Sequence, residues 1–407
     1  FSTAGGTFLI GVNGADVAFL YNGTTFTTTS ITFPGGSGLT TADLSYVWAY
    51  KQRIWFIEKD SLNAWYLPVD SIAGELKLLP LGGVFNRGGS LLWGQTWSLD
   101  SGGDGGLSEQ NVFTTTEGEV AAYQGLSPDD ASTWGKVGVY RIGRPLGKKA
   151  FIRAGGDLVI ATSIGFIPLG QAIQRDYAAL GLIAVSQPIA DEWRRAVSER
   201  GLDGWNCELW GEGSMTLIAP PTPDGSAPVV FVANSDSGAW ATFTGWQPTA
   251  MESFQGRIFI GSISGKVQEA WVGGSDESLP YTGAIAPLFN DLGGPGQRKF
   301  AAFARVVKRS AFQANESVAA RFDWDMSLPP APDSAAIQVS AVWDLGTWDE
   351  SMWDSERGTI VTEEWKSVGG SGYAASLVIQ VTSGATVPLD VEIVRIDFSY
   401  TIGDILT

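Results

Sequence analysis

The sequence predicts an all-β protein: a β-propeller of about six blades with a helical insertion, then a C-terminal β-sandwich-like domain. Three observations carry this expectation. A short apolar strand, a tight polar or glycine-rich turn and a second apolar strand recur along the first two-thirds of the chain. The composition, with 52 Gly, 17 Trp and 12% aromatic residues, favours pleated, half-buried surfaces over helices. After about residue 275 the hairpin rhythm gives way to longer strands.

In chain order the hairpin unit reads TFLIGVNGADVAFLYNG (7–23), RIWFIEKDSLNAWYLP (53–68), NVFTTTEGEVAAYQG (111–125), DLVIATSIGFIPLG (157–170), VVFVANSDSGAWATFTGW (229–246) and RIFIGSISGKVQEAW (257–271). Upstream strands are expected to start near residues 45, 90, 149, 205 and 249, a spacing in the range of propeller blades. Fourth strands are expected in 24–33 and 75–81. The first hairpin lacks an upstream strand, and the chain opens on FSTAGG without Met. Residues preceding Phe1, or the C-terminal part, are therefore expected to supply the strand that completes the first blade.

Residues 171–203 form the insertion. Ser186 is placed to N-cap a helix with Pro188 in its first turn, and Ile189, Trp193, Ala196 and Val197 share one face. Asp191 and Arg195 are spaced for an i,i+4 ion pair. The domain boundary falls at 275/276, giving domains 1–275 and 276–407. In the second, segments 298–312, 317–326, 336–343, 359–368, 375–383 and 389–402 read as strands, with alternation clearest at Val394, Ile396, Phe398 and Tyr400.

What is missing narrows function. The chain has no histidine and one cysteine, Cys207. That removes Ser-His-Asp and Cys-His catalysis, the usual zinc sites and any intramolecular disulfide. No apolar run is long enough to span a membrane. The net charge of −17 argues against general nucleic-acid binding, although an acidic wall lets nucleic acid slide past without gripping phosphates. A soluble protein assembled in a reducing compartment, without enzymatic activity, cofactor or metal, is expected.

The individual motifs are weak signals for chemistry. DSGGDGGLSEQN (100–111) clusters Asp100, Asp104 and Glu109 but has Asn111 where a calcium loop needs a bidentate acid. GGPGQRK (293–299) lacks the ending of a phosphate loop and reads as a turn before a strand. Asp323 and Asp325 would share a strand face, the one arrangement here suited to carboxylate chemistry.

Charge segregation says more. Lys136, Arg141, Arg144, Lys148, Lys149 and Arg153 form one acid-free run, and Arg298, Lys299, Arg305, Lys308 and Arg309 a second. Both are candidate subunit-interface or DNA-contact patches. WDLGTWDESMWD (343–354) repeats a Trp-Asp pair at a spacing that suits neither strand nor helix. With Asp344, Asp349, Glu350, Asp354 and Glu356 it is expected to form an anchored acidic loop facing a channel or a neighbour's basic ridge.

The runs RIWFIEKDSLNAWYLPVDSI…LPLGGVFNRGGSL, NVFTTTEGEVAAYQG and VGVYRIGRPLGKKAFIRAGGDLVIATSIGFIPL resemble the tail nozzle proteins of short-tailed bacteriophages, also called tail tubular protein B or packaged-DNA stabilisation proteins. The resemblance is clearest over 45–200, and WDLGTWDESMWD and LDVEIVRIDFSYTIGD are similar in style. It implies a virion protein of the phage tail, assembled in the bacterial cytoplasm as a homo-oligomeric, hexameric ring. In that family the propellers project outwards and a β platform lies near the axis. The implied partners are the adaptor (head-to-tail connector) proteins, tail fibres or other tail proteins, and double-stranded DNA passing without sequence specificity. A phage-tail carbohydrate-binding adhesin or receptor-binding module is the alternative, suggested by the many tryptophans.

Overall fold

In the computed structural model, which describes residues 1–99, 108–310, 315–334, 360–362, 364–384 and 391–405, strand is the dominant regular structure, arranged in small sheets that are antiparallel but for one two-residue pair. The chain divides into two compact units, Phe1–Ala270 and Trp271–Thr407.

In the first unit six sheets of three or four strands follow one another along the sequence, besides the two-stranded pairs Ser2–Thr3 with Gly6–Thr7 and Ile31–Thr32 with Gly74–Glu75. Sheet one holds Leu9–Gly11, Phe19–Tyr21 and Phe26–Thr28. Sheet two holds Leu44–Tyr50, Arg53–Glu58, Asn63–Tyr66 and Lys77–Pro80. Sheet three runs Leu91–Leu99, Ser108–Thr115, Glu119–Gln124 and Gly135–Arg141. Sheet four is Phe151–Ala154, Asp157–Ala161 and Phe166–Pro168. Sheet five is Asn206–Trp210, Met215–Ala219, Val229–Asn234 and Trp240–Thr244. Sheet six is Pro248–Phe254, Arg257–Ser262 and Val267–Glu269. All six hairpins expected from the sequence are present, and the opening strands of sheets two to six start at 44, 91, 151, 206 and 248. None of these sheets closes on itself among the described residues.

The alternation within each strand explains the stacking order. In Arg53–Glu58, Ile54 and Phe56 join a core with Ile10 of sheet one, whereas Trp55 and Ile57 join Phe113 and Tyr123 of sheet three. Sheets three and four share Trp93, Val112, Leu158 and Ile160. Sheets four and five share Val159, Phe166, Ile218 and Phe231, and sheets five and six share Leu217, Val230, Met251 and Ile260. Each inner sheet is thus apolar on both faces, which is why its strands read as continuous apolar runs. The outer faces of the end sheets stay open: Leu9 and Phe26 are exposed on sheet one, Phe254 and Val267 on sheet six.

Tryptophan N–H groups link successive sheets. Trp48 donates to Asn111 Oδ1 at 2.8 Å (sheets two to three), Trp97 to Asp157 Oδ1 at 2.9 Å (three to four) and Trp210 to the Gly256 carbonyl at 2.8 Å, in the hairpin of sheet six.

The insertion carries a helix, Ala190–Arg200, whose Trp193 and Ala196 are buried in the core shared by sheets four and five, with Ile189 and Val197 beside them. Two details differ from expectation. Ser186 does not cap this helix, because a 3₁₀ turn, Gln187–Ile189, intervenes and the Ser186 hydroxyl accepts the Phe166 N–H at 3.0 Å. Asp191 pairs with Arg194, and Glu192 with Arg195 at 2.6 Å, so both ion pairs are i,i+3.

The second unit is built on Gln297–Ser310, antiparallel to Val391–Ile405, with the short strands Ile360–Thr362, Trp365–Ser367 and Ser371–Gly372 along its other edge. A three-stranded sheet, Thr282–Ile285, Ala375–Thr382 and Glu316–Phe322, shares an apolar layer with it through Ala304, Val306, Leu377 and Ile379. Ile396 and Phe398 pack into this layer, but Val394 is half exposed, because the ladder shifts register between Val307 and Lys308 and turns it out. The expected strand 336–343 lies outside the described residues.

Truncating Trp55, fully buried, to Ala should cost about 3–5 kcal/mol in denaturant unfolding. Truncating the exposed Phe26, which stacks on Tyr21, should cost at most about 1.5 kcal/mol. Burial pushes the phenols of Tyr46 and Tyr50 up to about 12. The folded state therefore holds these protons more tightly than the unfolded chain. Their stabilising contribution should be intact below the ordinary tyrosine value of about 10 and disappear as pH rises towards 12, seen as a falling melting temperature that Tyr50→Phe lessens.

Candidate functional site

The opening strands of sheets two to six adjoin, and Tyr46, Gln95, Arg153, Glu208 and Glu252 are polar side chains carried on them. Tyr46 hydrogen-bonds Gln95, and the Arg153 guanidinium donates to Gln95 Oε1. Further along, Glu208 Oε1 accepts the Ser253 N–H at 3.0 Å, with Glu252 and Lys149 in its electrostatic surroundings. Hydrogen bonds to backbone carbonyls lock the seam: Thr96 Oγ1 donates to that of Ala49 at 2.8 Å, the Ser98 N–H to that of Gly156 at 3.1 Å and the Cys207 N–H to that of Lys149 at 2.9 Å.

Burial pushes the Glu208 carboxyl up to about 7, and the neighbouring Glu252 charge adds to this against the Ser253 hydrogen bond and Lys149. The seam therefore carries an acid that changes charge near neutrality. No grouping of acid, His or Cys side chains able to hold a metal occurs among the described residues. Sequence reasoning missed Tyr46, Gln95, Glu208 and Glu252, because each lies among other polar residues of its strand and nothing local marks it out.

The first basic run is divided between two edges. Lys136 and Arg141 lie on the outermost strand of sheet three, Arg141 with its guanidinium 3.4 Å from the Tyr177 ring centroid, and Arg144 follows at 4.0 Å from Glu117. Lys148, Lys149 and Arg153 belong to the seam, Lys148 donating to the Ser45 carbonyl at 3.1 Å. All six are exposed.

The second run is not an open patch. Lys299 and Lys308 are buried, at 0% and 1% exposure, and neither can touch DNA or a neighbour directly. Alternation along Gln297–Ser310 turns Lys308 inwards with Ala304 and Val306, where it pairs with Glu316, which Lys366 also contacts at 2.8 Å. Burial, then the Lys366 charge, pushes Lys308 down to about 8. The Lys299 ammonium donates to the carbonyls of Gly294 and Tyr373, the latter at 2.9 Å. Arg305 donates to Asp397 at 2.8 and 2.5 Å, and Arg309 lies 3.7 Å from Glu392. Arg298 is exposed beside Phe300.

Asp323 and Asp325 do not form a carboxylate pair on a strand. The strand ends at Phe322, and the two acids cap turn amides: Asp323 Oδ1 accepts from Tyr373 at 2.8 Å and Asp325 Oδ1 from Ser327 at 3.0 Å. The acidic loop residues Asp344, Asp349, Glu350, Asp354 and Glu356 lie outside the described residues, as does most of the 100–111 loop; of the latter, Glu109 pairs with Lys51 at 2.7 Å.

A Glu208 carboxyl raised to about 7 stabilises the fold below the ordinary Glu value near 4.5 and loses that contribution as pH rises through 7. Glu208→Gln, which keeps an acceptor for the Ser253 N–H, should therefore raise the melting temperature above pH 7 and leave it little changed below 4.5 in calorimetry. No protein-family model matches the chain, and no curated protein matches its sequence.

Proposed function

We propose that the chain is a subunit of a tail nozzle of a short-tailed bacteriophage, a homo-oligomeric ring that forms and gates the DNA exit channel below the portal and adaptor rings. In this reading the six sheets of the first unit are propeller blades and the second unit is a sandwich-like platform. The observation that carries it is the run of six meanders, each packed on the next in chain order, with the opening strands of sheets two to six adjoining, followed in the chain by a separate β unit. Closing the propeller would cover the apolar outer faces of sheets one and six.

A net charge of −17 suits a wall that DNA must pass without sticking. Of the two basic runs, the first supplies the exposed cations for docking copies or adaptor proteins, because the second is largely neutralised inside its own unit.

Native mass measurement and imaging of the chain with adaptor proteins should give a ring of several copies around one axis. A stable monomer that never joins tail components would reject the reading. Lys136→Glu with Arg144→Glu should weaken assembly in low salt and leave the unfolding midpoint nearly unchanged.

A further inference from the structure

The outer face of the long-stranded sheet carries a shallow, open aromatic depression. Phe303 stands between Ser367 and Ser399 on the two neighbouring strands, and Arg305 stands between Trp365 and Asp397. Cross-strand partners share a face, so these side chains form one patch. Phe303 and Trp365 are 49% and 50% exposed, unusual for large aromatics, and with Ser399 they line an open depression of about 300 Å³.

The platform is held in place. The Arg305 guanidinium lies 4.9 Å from the Trp365 ring centroid while its Nε and Nη2 donate to Asp397 Oδ2. Arg395 Nε reaches Asp397 Oδ1 at 2.9 Å from the other side. The indole is thus oriented before any ligand arrives, which lowers the ordering cost of binding. Two guanidiniums face one carboxylate, so the rim is locally positive on a chain of net charge −17.

We propose that this depression binds a pyranose ring bearing a carboxylate, as in a uronic-acid residue of an acidic polysaccharide. The ring's C–H face stacks on Trp365 beside Phe303, an edge hydroxyl meets Ser399, and the carboxylate lies towards Arg395. The volume is at the small end of ligand pockets, about 300–1,000 Å³. A protein partner would need about 800 Å² of surface from this chain. Nothing in this proposal depends on the nozzle reading.

The test is calorimetric titration of the full chain with a galacturonic-acid oligomer and with a neutral gluco-oligomer. The acidic sugar should bind saturably, and more tightly than the neutral one. Trp365→Ala should weaken it at least tenfold, Trp365→Phe should restore most of the loss, and Arg395→Ala should reduce affinity for the acidic sugar alone. Trp324→Ala, removing a tryptophan 72% exposed elsewhere in the unit, should change nothing. Ser399→Phe, which fills the depression and leaves Trp365 in place, should also abolish binding if Trp365→Ala proves poorly folded. Failure of both sugars to bind, equal effects of Trp324→Ala and Trp365→Ala, or a Trp365→Ala effect on oligomeric mass without one on sugar binding would each overturn the proposal.

Discussion

Each inner sheet of the first unit has to bury both of its faces, and the rest of that unit follows from this constraint. A two-faced apolar strand such as Arg53–Glu58 cannot be satisfied by one neighbour: Ile54 and Phe56 need a layer on one side, Trp55 and Ile57 a layer on the other. The sheets therefore stack in series, and each tryptophan that fills a layer brings an N–H needing an acceptor there. Trp48, Trp97 and Trp210 find theirs across the layer and so fix its register, whereas the indole N–H groups of the equally buried Trp55 and Trp93 have no hydrogen-bond partner and contribute packing alone. At the two ends the series stops, leaving aromatic side chains such as Phe26 and Phe254 in the open.

The second unit obeys a different rule. Its long strand has one face in an apolar layer and one in water, so charge along Gln297–Ser310 is sorted residue by residue. Lys308 falls on the inner side and is held by Glu316, a buried pair whose desolvation cost offsets much of its attraction. Arg305 falls on the outer side and is held by Asp397 over Trp365. Of the five cations, Lys299, Arg305 and Lys308 thus become internal fasteners, and Arg305 orients an exposed indole.

These arrangements bear on function at two scales. Serial stacking of small sheets, followed in the chain by a second β unit, is the arrangement on which the proposed nozzle reading rests. The aromatic depression concerns one side chain and its rim, and a surface-displayed sugar site is compatible with a structural subunit. Glu208 adds a group near its titration point on the seam of the opening strands, where a change of one charge alters the balance with Glu252 and Lys149.

The sequence by itself determined the six hairpins of the first unit and, within a few residues, the starts of its opening strands, because period-two apolar runs bounded by turn residues are local properties. It also determined the inward face of the insertion helix, since Trp193 and Ala196 are set by helical spacing. It misjudged Val394, Lys299, Lys308 and the Asp323/Asp325 pair. In each case the outcome turned on a ladder shift, a strand end or the face presented, and none of these is visible in residue type. Only the tertiary structure decided that Glu208 lies beside Ser253 and Lys149, and that Trp365 shares a depression with Phe303 and Ser399. Those neighbours come from strands far apart in the chain, and their meeting is a consequence of sheet register, which local sequence pattern does not encode.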